Sequence, residues 1–288
     1  MRHRRLRVSG LKVCALLIVA LMGGASAASA QKMKPEEVVA KHLDALGAAE
    51  RRAPSRSRVV GGSIEFSIRS GRGRRAAGKS LLASEGDKLL FNAVFENADY
   101  PFEKMGYDGK KAAVRQFLPG QHSPIGEFIL SNEVILKEGL LGGSLSTAWP
   151  LLHLAERNPK LEYNGTEKIE GRPTHKLRYA PRKGTDLKIT LYFDAETFRH
   201  VRTKYERTIA ATMGDSPGAS AGRIDTRYQL LEDFGDFRDE KGLMLPHAHN
   251  IQFSISSQNN PLTMDWKFAL DQFDFDQAID AKEFDAQR

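Results

Sequence analysis

The sequence predicts a mainly β (α+β) protein: one strongly curved antiparallel sheet of about 11 strands, with an N-terminal helix and a helical insert covering its concave face. Three observations lead there. Between Gly171 and Glu206, Leu187, Ile189, Leu191 and Phe193 alternate with Lys188, Thr190 and Tyr192, the period-2 pattern of a strand wet on one face. Similar runs, broken by turn residues, recur roughly every ten positions, the rhythm of a meander. Two helical segments carry apolar faces that must be buried, and an open sheet of more than ~10 strands curls, splits or flattens. A sandwich leaves those helices without a partner.

The first thirty residues read as a cleaved export signal. Arg2, Arg4, Arg5, Arg7 and Lys12 precede an apolar stretch from Val13 to Met22, and Ala28-Ser-Ala30 before Gln31 has the small-x-small form of a cleavage site. An uncleaved anchor is the competing reading, but the apolar core is too short to span a bilayer as a helix. Five of the 43 basic and none of the 36 acidic residues lie before Gln31, leaving 38 against 36. The high pI therefore belongs mostly to the signal, and no nucleic-acid partner is expected. Cys14 is the only cysteine, so the chain from Gln31 holds no disulfide, thiol nucleophile or cysteine-bound metal. The predicted location is the periplasm, with secretion as the alternative. Residues 31–288 are expected to form one domain.

Lys34 to Leu46 is predicted as a helix, with Pro35 at its first turn, Val39, Leu43 and Leu46 on one face and Gly47 closing it. Arg51 to Arg58 reads as a basic linker. Strands are then expected at Ile64–Ile68, Lys79–Ser84, Leu89–Glu96, Glu103–Tyr107 and Ala112–Leu118. From about 123 to 158 the pattern becomes helical, with Phe128, Ile129, Ile135 and Leu136 at mixed spacing and a second short helix started at Pro150. Further strands follow near Leu161–Ile169, Thr174–Tyr179, Leu187–Phe193, Phe198–Ala210, Arg223–Phe237, Met244–Ser256 and Leu262–Phe275. Asp215 to Gly222 reads as a hairpin tip.

The helix ending Ala45-Leu-Gly47, the turn Tyr192-Phe-Asp-Ala-Glu-Thr197 before a basic strand, and Phe237-Arg-Asp-Glu-Lys-Gly-Leu-Met-Leu-Pro246 together resemble the outer-membrane lipoprotein carrier superfamily. This LolA/LolB-like group includes related periplasmic lipid carriers and sensors. The resemblance implies a half-open barrel whose concave apolar face, covered by helices, holds acyl chains of a lipid or lipoprotein.

The residues themselves supply a candidate wall. Ile64, Phe66, Ile68, Leu187, Ile189, Leu191, Phe193, Ile251, Phe253, Ile255, Trp266, Phe268 and Leu270 share one face if the sheet is continuous. Burying each is worth about 1.5–3 kcal/mol, so helices must cover them, either fully as an ordinary core or partly around an apolar cavity. Phe128, Ile129, Ile135 and Leu136 then form a lid, with Gly139, Gly142 and Gly143 either as hinges or in a plain loop. Arg69, Arg72, Arg74 and Arg75 mark a basic tip that either touches anionic headgroups or is a solvated turn. His247 and His249, two apart on one strand face, could ligate zinc, but no further ligands stand at a recognisable spacing, so no metal and no cofactor are assigned. No motif of nucleophilic, phosphate-binding or dinucleotide chemistry is present. The expected function is a non-catalytic carrier or chaperone. A protein-interaction or sensor module on the same fold is the alternative, and a metal-dependent hydrolase at the histidine pair ranks below both.

Overall fold

The strand called for by each alternating run forms, and all of them join a single sheet. The computed structural model describes residues 33–52, 56–69, 74–211, 225–257 and 261–288. The expected signal peptide, Arg72 and the tip Asp215–Gly222 lie outside the described residues. Twelve strands follow in order: β1 (Ser57–Ile68), β2 (Arg75–Glu85), β3 (Lys88–Phe95), β4 (Phe102–Tyr107), β5 (Ala112–Val114), β6 (Lys160–Ile169), β7 (Arg172–Ala180), β8 (Lys188–Asp194), β9 (His200–Ile209), β10 (Thr226–Glu240), β11 (Leu243–Ser256) and β12 (Leu262–Phe275). Every pairing is antiparallel. The sheet is open and curved, and its order runs β5-β4-β3-β2-β1-β12-β11-β10-β9-β8-β7-β6.

That order dictates where the insert goes. Strands β5 and β6 are consecutive in the chain yet occupy opposite edges, so the segment between them must cross a face of the sheet. It carries helices α3 (Pro124–Ser131), α4 (Val134–Lys137) and α5 (Leu154–Arg157) and a 3-10 turn at Pro150–His153; α1 (Pro35–Leu46) and α2 (Ala49–Arg52) lie earlier in the chain. Leu140, Leu141, Leu145, Ala148, Trp149 and Leu151 are buried with Phe128, Ile129, Ile135 and Leu136. An apolar crossing segment can lie only on the apolar face. The crossing therefore fills the concave side. Ser123 starts α3 by accepting the Gly126 amide at 2.9 Å, with Pro124 in the first turn.

Of the register shifts in the sheet, the one between β1 and β12 has consequences for the wall. Gly62 pairs with Leu270 but Gly61 pairs with Gln272, so inward positions on β12 pass from Leu270 to Phe273 and Phe275 across an extra residue. A Cβ on Gly62 would stand 2.1 Å from the Ala269 carbonyl oxygen, which is why glycine faces the bulge across the ladder.

Several expectations are corrected here. Arg51–Arg58 is not a linker: Arg51 and Arg52 end α2, and Arg58 is buried within β1. The strand expected over Ala112–Leu118 stops at Val114. Phe198 takes a left-handed turn conformation (φ 55°), with Asp194 accepting the amide and hydroxyl of Thr197 at 2.8 Å each, and the strand starts at His200. The outer face of β8 is not wet beyond Lys188, since Thr190 and Tyr192 are buried. A small core also forms on the convex side, where Phe284 and Ala286 pack on Ala83, Leu90 and Ala113. Among the described residues no helix is long and apolar enough to cross a membrane.

Candidate functional site

The predicted wall assembles. Ile64, Phe66, Leu187, Ile189, Leu191, Phe193, Ile251, Phe253, Trp266, Phe268 and Leu270 join one apolar cluster, with Ile68 and Ile255 packed against it. Register explains the meeting: Ile64 lies opposite Phe268, Phe66 opposite Trp266, and Ile251 opposite Trp266 on its other side. The four residues expected as a lid, Phe128, Ile129, Ile135 and Leu136, are buried in that same cluster. Phe128 stands 5.1 Å from the Phe253 ring, so the insert touches the wall directly.

Open space survives at one rim. A cleft of about 200 Å³ lies between the ends of β1 and β12 and the start of α3, with Phe66, Ile68, Phe117, Pro124, Leu262 and Met264 as its apolar lining. Arg74 and Arg75 edge it, and Arg74 reaches Asp99 at 3.8 Å. Arg69 does not share that role. Its guanidinium forms a bidentate pair with Asp265 at 2.6 and 2.9 Å, and Asp265 also accepts from Gln252 at 2.8 Å.

Beneath the cleft, Tyr100 packs in a tilted contact 4.3 Å from the Phe66 ring, accepts from Trp266 Nε1 at 3.2 Å and donates to Glu103 at 2.7 Å. Glu103 is wholly buried, and burial pushes its carboxyl up to about 7 against the hydrogen bonds from Ser123 and Tyr100.

Deeper in the concave face sits a polar group the sequence reading missed. Glu232 is fully buried; it accepts the Gly142 amide at 2.7 Å and the Tyr205 hydroxyl at 2.8 Å, with His249 Nε2 at 3.0 Å. His200 and His42 lie nearby around Trp149, whose ring stacks 4.7 Å from His200 and whose Nε1 donates to His42 at 3.2 Å. Burial holds His200 well below its ordinary range and His42 at about 4. Arg58 donates to the Ser144 carbonyl at 2.6 Å. Glu232, His200 and Arg58 grip the insert from the sheet, and His42 does so from α1. The signal was available: Leu230, Glu232 and Phe234 alternate, so period 2 turns Glu232 inward with its apolar neighbours.

His247 and His249 share a strand face as expected, yet each has its own carboxyl neighbour. His247 Nε2 is 3.0 Å from Glu240, and its ring lies 4.5 Å from Phe273. Among the described residues no three His, Cys, Asp or Glu side chains group to hold a metal. The glycines also have a structural account. Gly139, Gly142 and Gly143 all take positive φ, and a Cβ on Gly143 would lie 2.8 Å from His200 Nδ1.

Fold and site together define an open antiparallel half-barrel whose apolar concave face is roofed by an insert, with a cleft at one rim. No protein-family model and no curated protein matches the chain. Solved structures similar to it include a LolA superfamily protein from Nitrosomonas europaea, 13% identical, covering 87% of this chain and 97% of that one at a TM-score of 0.46. A putative outer membrane lipoprotein-sorting protein domain from Vibrio parahaemolyticus is 8% identical, covering 88% and 97%, at 0.44. A DUF1329 family protein from Desulfovibrio piger is 11% identical, covering 88% and 98%, at 0.43.

Proposed function

We propose that this protein is an exported, non-catalytic carrier that shelters the acyl chains of a lipid or lipoprotein against the concave face of its sheet. The observation that carries this reading is the rim cleft, whose apolar lining runs through Phe66 into the buried wall. Its volume of about 200 Å³ falls below the ~300–1,000 Å³ of sites that enclose whole ligands. The cleft therefore takes the end of a chain, and full loading requires the insert to withdraw from Phe253 and the neighbouring wall. Arg74 and Arg75 stand where an anionic headgroup would remain outside.

Native mass spectrometry of the protein, purified gently from its own host or offered fatty acids and phospholipids, tests the reading. Lipid adducts are expected, and Ile68→Arg and Leu262→Arg at the cleft should remove them while the sheet stays folded. A clean unliganded mass under every loading condition would sink the carrier assignment.

A further inference from the structure

The other end of β1 carries a second opening that acyl chains do not need. Arg58 lies ten residues before Ile68 on the same strand, about 33 Å away at strand spacing. Beside it is a hollow of about 440 Å³ whose lining includes Arg52, Arg56, Arg58, Thr147, Leu43 and Leu152.

The cations here are short of anions. Only 2% of Arg58 is exposed; one nitrogen serves Ser144, the guanidinium lies 5.5 Å from the Phe275 ring centre, and Nε has no hydrogen-bond partner. Arg52 Nη1 is buried and also lacks a hydrogen-bond partner, its ion-pair contact being Asp44 at 3.9 Å on a side chain 84% exposed. Asp276, the carboxylate that acts on Arg58, already accepts the Arg56 amide at 2.9 Å. His153 on the same lining leans towards Glu156 at 3.7 Å and contacts the Thr147 carbonyl at 2.8 Å. A buried cation without a matched anion is costly, and burial pushes Arg58 down to about 10.

We propose that this hollow binds a phosphomonoester, its oxygens held by Arg52, Arg56 and Arg58 and its carbon body lying on Leu43 and Leu152. One guanidinium satisfies a carboxylate, whereas three arginines lining one hollow suit the higher charge and three free oxygens of a phosphate. The same group occurs on soluble metabolites and on phosphatidic acid, so two probes are needed. Calorimetry of the full chain with glycerol 3-phosphate, at matched ionic strength in sodium chloride, reads the first. Flotation with phosphatidylcholine vesicles with and without phosphatidic acid reads the second.

Binding to at least one probe is expected. It should weaken at least tenfold in Arg52→Met with Arg56→Ala, and stay unchanged in Lys160→Ala with Lys188→Ala, two exposed cations outside the hollow. Arg58 is left intact because it also holds Ser144. Binding of glycerol 3-phosphate assigns a soluble ligand; binding of phosphatidic acid vesicles alone, with the same arginine dependence, assigns a headgroup. The proposal is overturned if wild type binds neither probe, or if the Arg52/Arg56 variant binds as wild type does.

Discussion

The Glu232 carboxyl stands 2.7 Å from the amide nitrogen of Gly142, and this bond fixes the insert to the middle of the sheet. The same carboxyl takes the Tyr205 hydroxyl at 2.8 Å. Replacing Glu232 with Leu leaves two buried donors unpaired, each costing about 1–3 kcal/mol. Urea unfolding should therefore show a loss of about 3 kcal/mol, and amide exchange over residues 140–146 should quicken. Glu232→Gln, which keeps an acceptor, should lose less.

Two glycines with similar backbones should respond differently to alanine. Gly86 (φ 59°) has open space where a Cβ would go, while at Gly139 (φ 68°) a Cβ would stand 2.1 Å from the Ala148 carbonyl oxygen. Gly86→Ala should cost about 1 kcal/mol, from left-handed strain alone. Gly139→Ala adds a clash with backbone and should cost about 3 kcal/mol or more. Equal thermal shifts for the two variants would show that the turn at 139–143 is loose, as a hinge would be.

The sheet was legible because alternation is a local signal: Ile64, Phe66 and Ile68, or Met264 to Leu270, declare their face without reference to any partner. The bulge between Leu270 and Gln272 was not, since nothing in β12 alone marks the extra residue; its cause is the Gly62 backbone across the ladder. Arg58 was hidden for a related reason. A basic run beside Pro54 looks solvated until the acceptor, Ser144, arrives from 86 residues away. Phe284 and Ala286 on the convex face were missed because a short non-periodic tail carries no pattern.

Burial separates two charge insertions that look alike on paper. Phe268 is 5% exposed and stacks on His249 at 4.9 Å, with Phe91 at 5.7 Å. Phe268→Arg should lose more than about 4 kcal/mol, because it opens a cavity and buries an unpaired charge. Ile68 is only partly buried at the cleft rim, so Ile68→Arg should retain the wild-type circular dichroism spectrum. A lipid-uptake assay is therefore interpretable with Ile68→Arg and not with Phe268→Arg.

Glu103 gives the fold a dependence on pH. The carboxyl lies under the start of α3, beside Tyr100 and Ser123 and within the field of His122, and burial raises it from 4.5 to about 7. A raised acid holds its proton in the folded chain after the unfolded chain has released it. Its stabilising effect is complete below about pH 4.5 and is lost as pH rises through 7, by at most about 3 kcal/mol. His42 acts in the opposite direction: held at about 4 against an ordinary 6.5, it removes stability as pH falls from 6.5 to 4. Between pH 4.5 and 6.5 the two effects oppose each other, so Glu103→Gln should make the unfolding free energy rise more steeply with pH in that window and leave the loss on acidification due to His42 unmasked. An unchanged slope in a urea series across that window would show that Glu103 ionises at its ordinary pH, and that water reaches it beneath the cleft.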